Sequence, residues 1–115
     1  MRNRSKTLRQ KTTTQMKTQK WSATENAALV GAYFSMLSLS QAGKAFNKAA
    51  VRRALIAGPL AARSQGSIEF KLMNVSGVCV ALGLPVLPGY QPASNYQRDL
   101  VAAVQAHVSP VSVAA

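Results

Sequence analysis

The stretch GSIEFKLMNVSGVCVALG, residues 66–83, constrains the fold more than any other part of the chain. Ile68, Leu72, Val75, Cys79 and Leu82 recur at spacings of four, three, four and three, which is one face of an α-helix. A strand requires alternation, which SIEFKL satisfies briefly and VCVALG abandons. The ends agree with a helix: Ser67 offers an N-cap, and Gly83 followed by Pro85 supplies a stop. The choice decides chemistry. In a strand, Glu69-Phe70-Lys71 would form the acid-x-lysine half of a metal-dependent nuclease site, with the carboxylate on a divalent cation and the lysine steadying the attacking water. Such a site needs a further carboxylate upstream, and the one candidate, Glu25, falls in the first turn of another predicted helix. The spacing therefore argues against that nuclease.

The remaining segments extend the helical pattern. Ser22-Ala-Thr-Glu25 has the spacing of a capping box, and it opens a predicted helix that runs to about Gln41. Ala27, Val30, Phe34 and Leu37 form one stripe and Leu29, Ala32, Met36 and Leu39 a second, so both sides are expected to pack. Asn47 is the predicted N-cap of a second helix reaching about Ala57, with Val51, Ala54 and Leu55 on one side and Lys48 and Arg52 on the other. Gly58-Pro59 interrupts the run, and LAARSQGS leads into the third helix. LPVLPGYQPAS is too rich in proline for regular structure and is expected to wrap over the surface. Ser94-Asn-Tyr-Gln97 repeats the capping-box spacing before a last helix, carried by Leu100, Val101, Val104 and Val108 to about His107. The predicted fold class is all-α: a small bundle of about four helices over residues 21–108, with a helix-turn-helix-like pair and a frayed tail at 109–115.

Charge sets the N-terminus apart. Lys and Arg number 14 against three acids, Glu25, Glu69 and Asp99, for a net charge of +11. Seven of the cations, Arg2, Arg4, Lys6, Arg9, Lys11, Lys17 and Lys20, lie in the first twenty residues, where there is no acid. That segment has no periodicity and few large apolar residues, so it is expected to be a disordered basic arm. Its balance points to a polyanion, nucleic acid first, or alternatively to a solvated, solubilising tail. The composition also resembles an organellar transit peptide, without the apolar face such a helix needs.

The lone Cys79 permits no internal disulfide, in keeping with a reducing compartment. No apolar run follows the basic start to make an export signal. Asn74, Ser76, Pro85 and Pro88 interrupt the most apolar stretch, Leu72 to Tyr90, which is a poor membrane span. A soluble protein, cytoplasmic and nucleoid-associated, is the expectation, with no membrane partner. One histidine and one cysteine supply neither a hydrolase triad nor a zinc site, and no glycine-rich phosphate loop is present. The expectation is a non-enzyme without cofactors.

Binding residues are better supplied. The third helix carries Ser64, Ser67, Lys71 and Asn74 near its start, and its N-terminus favours a phosphate, to which Arg63 and Lys71 would add charge. Lys48, Arg52 and Arg53 would oppose a polyanion from the second helix. Asn74 could read an adenine edge in a major groove or be a buried amide tying loops together. Lys71 could contact phosphate or simply be solvated. Tyr90 and Tyr96 leave RNA open as a partner, through stacking, although tyrosines beside a proline-rich loop more often pack. If the partner is instead a protein, Phe70 and Met73 would meet it.

Several segments in order carry a resemblance: W-x-x-x-E at Trp21 to Glu25, AYFSML at Ala32 to Leu37, FNKAAVRRAL at Phe46 to Leu55, RSQGSIEFKLMNVS at Arg63 to Ser76, and LGLPVLPGYQPASNYQ at Leu82 to Gln97. They resemble the helical N-terminal domain of HNH-type restriction endonucleases, including modification-dependent ones, and of related defence proteins. The resemblance covers about Trp21 to Val104. It implies an accessory DNA-binding or target-sensing role alongside a nuclease or other defence partner. The matching positions are Arg63, Ser64, Ser67, Glu69, Lys71 and Asn74 in one segment and Tyr90, Asn95, Tyr96 and Gln97 in another, none of them implied to be catalytic. Two departures stand out: one histidine cannot build an HNH site, and the first two helices are less acidic than is usual in that family. A protein-interaction module with an incidental basic tail is the alternative function.

Overall fold

The computed structural model describes residues 20–114, with side chains to residue 109, and contains four α-helices: α1 (Ala23–Gln41), α2 (Lys48–Ala57), α3 (Gln65–Leu82) and α4 (Arg98–Ala114). Apart from Lys20, the basic arm lies outside the described residues. The all-α expectation holds. Helices α1, α3 and α4 pack against one another, and α2 rests against α1 and α3.

Helix α1 begins where the sequence placed it. Ser22 N donates to Glu25 Oε1 at 2.9 Å, and Glu25 N donates to Ser22 Oγ at 3.1 Å, so each satisfies an amide that the first turn leaves open. The helix buries Asn26, Leu29, Val30, Tyr33, Met36 and Leu37. Both expected stripes contribute, Val30 and Leu37 from one and Leu29 and Met36 from the other, with Phe34 and Ala32 packed against the core beside them, and only Ala27 of the two stays exposed. Helix α2 is capped by Asn47, whose Oδ1 accepts from Ala50 N at 3.0 Å, and only Leu55 of its residues is fully buried. It is the peripheral helix.

Helix α3 is the central one, burying Ile68, Leu72 and every residue from Asn74 to Cys79. Its N-cap is Ser64, one turn before the expected Ser67. Ser64 Oγ accepts from Ser67 N at 3.1 Å, and Ser67 Oγ donates back to Ser64 O at 3.0 Å. The connection from α2 is thus the seven residues 58–64, longer than the three or four of a helix-turn-helix. At the other end Gly83 takes φ +74°, and Leu84 N donates to Cys79 O at 2.8 Å. The left-handed turn, which glycine adopts without strain, closes the last carbonyls.

The proline-rich segment 84–97 has no regular structure but is pinned across α3. Tyr33 Oη accepts from Leu87 N at 2.8 Å and lies 2.8 Å from Ser76 Oγ, both contacts buried. Ala93 N donates to Met73 O at 3.0 Å, and Asn74 Nδ2 donates to Ala93 O at 3.4 Å and Asn95 O at 3.2 Å. Gly77 permits this approach, because a Cβ there would overlap the Ala93 carbonyl. Leu87 and Tyr90 from this segment enter the core with Leu60, Leu100 and Val104; each large apolar side chain removed from water contributes about 1.5–3 kcal/mol. Helix α4 starts at Arg98 rather than after Ser94, because the Asn95 carbonyl is held by Asn74 and the chain is still crossing α3 at that point. It continues past His107 to Ala114, through the stretch expected to fray.

Candidate nucleic-acid interface

Lys48, Arg52, Arg53, Arg63 and Lys71 are the candidate phosphate contacts of the fold, and the structure divides them sharply. Arg63 donates through Nε to Glu25 Oε2 at 2.9 Å and through a terminal nitrogen to Glu25 Oε1 at 2.7 Å, and reaches Lys20 O at 3.1 Å. Its guanidinium carbon also lies 5.0 Å from the Trp21 ring centroid. This fork-on-carboxylate pair ties α1 to the chain just before α3, and the hydrogen bonds from Arg63 hold the Glu25 carboxyl below its usual pKa against the opposing effect of burial. Arg63 is a tether inside the fold rather than a surface contact.

Lys71 is partly buried, with Nζ 4.9 Å from the Trp21 ring centroid. Burial, and then the charge of Arg63, lower its pKa from the usual lysine value. Sequence reasoning missed Trp21, which gathers both cations through its electron-rich face. The signal available was an aromatic residue immediately before a capping box, at the point where composition changes from polar to apolar.

Lys48 and Arg52 were expected to face away from Leu55, and they do not. Lys48 Nζ sits 4.4 Å from the Tyr90 ring centroid and donates to Gly89 O at 3.3 Å. Arg52 donates to Glu69 Oε2 at 2.7 Å. On a helix, positions 48, 52 and 55 lie within one side at about 100° per residue, so the two cations follow Leu55 inward and lock α2 onto α3 and the proline-rich segment. Arg53 points elsewhere and is exposed.

Asn74 is 3% exposed and holds the Ala93–Asn95 backbone, so it is the buried amide of the two readings and cannot reach a base edge. Ser64 and Ser67 cap α3, as described. Tyr90 is buried and Tyr96 partly so, packed against the core, which leaves neither as an open stacking platform. Met73 likewise packs on the core, whereas Phe70 is 46% exposed. Asn95 and Gln97 are exposed. Lys44, in the loop before α2, and Arg98, at the start of α4, are exposed cations that sequence reasoning did not single out; their position in connecting segments was the available cue.

All three carboxylate side chains are paired: Glu25 with Arg63, Glu69 with Arg52 and Asp99 with Lys20, the last at 3.1 Å and well exposed. Glu69 and Lys71 lie in a helix, and the Glu69 carboxylate is engaged by Arg52. Among the described residues no three of His, Cys, Asp and Glu gather as metal ligands, and no helix is long and apolar enough to cross a membrane. Cys79 is buried, which raises its thiol pKa, and His107 stacks on Phe34 with centroids 4.9 Å apart.

Comparison with models of protein families, with curated proteins and with solved structures finds no match to this chain.

Proposed function

We propose that this chain is a non-enzymatic nucleic-acid-binding module, acting on DNA as an accessory or target-sensing unit of a restriction or defence-type system, with any nuclease chemistry supplied by a partner. The observation that supports it is the pairing of every side-chain carboxylate within the fold. No unpaired acidic side chain of the domain opposes a phosphate, while the seven cations of residues 1–20 have no acid among them. A net charge of +11 on 115 residues favours association with a polyanion and steers it diffusively.

In this reading the arm supplies most phosphate contacts, and Lys44, Arg53 and Arg98 add to them from the folded part. Lys48, Arg52 and Arg63 tie the fold together instead, and Lys71 is partly buried against Trp21. A second reading, a protein-interaction module, draws on the exposed Phe70, Val80 and Leu82 of α3.

Fluorescence anisotropy with a labelled duplex distinguishes them, using the full chain and a chain beginning at Lys20. Loss of six cations is expected to weaken binding by two to three orders of magnitude or so at physiological salt. Undiminished affinity of the shortened chain would place the contacts on the folded part, and absence of binding by the full chain would sink the nucleic-acid reading and leave the protein-partner one.

A further inference from the structure

We infer that the phosphate backbone of the nucleic acid lies across the end of the bundle at which α1, α3 and α4 all begin. This rests on the nucleic-acid reading above and assigns it a face. The three helices run the same way. Glu25, in the first turn of α1, is held by Arg63, which immediately precedes the α3 cap, and further along Tyr33 Oη lies 2.8 Å from Ser76 Oγ. Lys20 Nζ reaches Asp99, in the first turn of α4, at 3.1 Å, and further along Phe34 stacks on His107. Lys20 is the junction of the three starts, since its carbonyl accepts from Arg63 at 3.1 Å while its ammonium holds Asp99.

Charge follows the same axis. Lys20, Arg63, Lys71 and Arg98 stand at the starting end against Glu25 and Asp99, and residues 1–19, with six cations and no acid, join the fold there through Lys20. With two net charges from the fold and six from residues 1–19, that end carries eight of the eleven net positive charges of the chain. Residues 72–97, the later part of α3 and the segment that crosses it, contain no charged side chain, and none of the three helices has a basic residue in its last turn. Three parallel helix dipoles add positive potential at the starting end; salt and exposure screen it, so the side-chain charges dominate. Of the exposed cations assigned to phosphate above, Arg98 opens α4 at this end, whereas Lys44 follows the last turn of α1, about 28 Å away along a helix of 19 residues. Arg98 therefore takes the larger share and Lys44 the smaller. Asp99 is the well-exposed acid of this end, with 51% of its side chain accessible, and it competes with phosphate for Lys20.

The test measures fluorescence anisotropy of a labelled duplex with full chains carrying single substitutions at these exposed positions, each checked for unchanged helix content by circular dichroism. Arg98→Gln is expected to weaken binding about threefold at physiological salt and to lower the slope of log K against log salt by about 0.9. Asp99→Asn, which releases Lys20 and removes the opposing charge, is expected to strengthen binding about threefold. Lys44→Gln is expected to change affinity less than about 1.5-fold. If Lys44→Gln weakens binding as much as Arg98→Gln, or if Arg98→Gln or Asp99→Asn leaves affinity unchanged, the inference is overturned while the nucleic-acid reading stands. Absence of duplex binding by the full chain overturns both.

Discussion

Replacing Glu25 with glutamine tests whether the Arg63 pair is a main tether of the fold. Glutamine keeps the side-chain length and the ability to complete the capping box with Ser22, and removes the charge. The side chains of Arg63 and Glu25 are 8% and 15% exposed. Removing one partner of a fully buried pair costs about 3–5 kcal/mol, and an exposed pair contributes about 0–1 kcal/mol. Arg63 keeps the Lys20 carbonyl, the Trp21 ring and one uncharged acceptor, so the loss should be about 2–3 kcal/mol. For a domain of this size that lowers the melting temperature by about 10–20 °C. The sign of the pH dependence follows from the lowered Glu25 pKa. Stability from this group is fully present above its unfolded value, near 4.5, and is lost as pH falls through the folded one. Thermal unfolding followed by circular dichroism should therefore show a wild-type advantage over Glu25→Gln that is constant near neutrality and shrinks below about pH 4. A difference under about 3 °C at neutral pH, or one that persists undiminished in acid, would refute the reasoning.

Gly77→Ala forces a Cβ into the Ala93 carbonyl, whose carbon would lie 2.9 Å away; a loss of about 2–3 kcal/mol is expected by urea unfolding, and a neutral result would mean the segment does not press on α3 there. Tyr33→Phe leaves the Leu87 amide without its acceptor, so a loss of about 1–3 kcal/mol and faster hydrogen exchange at Leu87 are expected together. Lys71 has its pKa lowered by burial and by Arg63, so its charged form is disfavoured in the fold at neutral pH and relieved as pH rises through the folded pKa. Lys71→Met should therefore leave the melting temperature unchanged or slightly raised near neutrality, and duplex affinity within about twofold of wild type; a large loss of affinity would return Lys71 to the interface.

Signals confined to a few neighbouring residues were legible. The Ser22–Glu25 box, the Asn47 cap and the Gly83 stop each depend on residues within one turn, and each lies where the pattern placed it. What failed depends on distance along the chain. Lys48 and Arg52 turn inward because Tyr90 and Glu69 wait 42 and 17 residues further on, and Arg63 is engaged by a carboxylate 38 residues before it. Local periodicity contains none of this, so cations that looked available for phosphate proved to be tethers. Ser67 precedes the first residue of the apolar stripe, Ile68, and so has the position of a cap. The backbone instead turns helical at Gln65, since Ser64 can satisfy the Ser67 amide and glycine at 66 does not prevent it. The start of α4 differs from the pattern for a related reason: Ser94 to Gln97 has capping-box spacing, but Asn74 holds this stretch across α3 and the helix begins at Arg98.

The most direct test of the central claim is the salt dependence of duplex binding by the full chain. If the arm's cations outside the Lys20–Asp99 pair contact phosphates together with Lys44, Arg53 or Arg98, log K should fall with log salt at a slope of about −5 to −8, at roughly −0.9 per phosphate neutralised. A slope shallower than about −2, or no measurable binding at low salt, would contradict the proposal that this chain binds DNA through its excess positive charge.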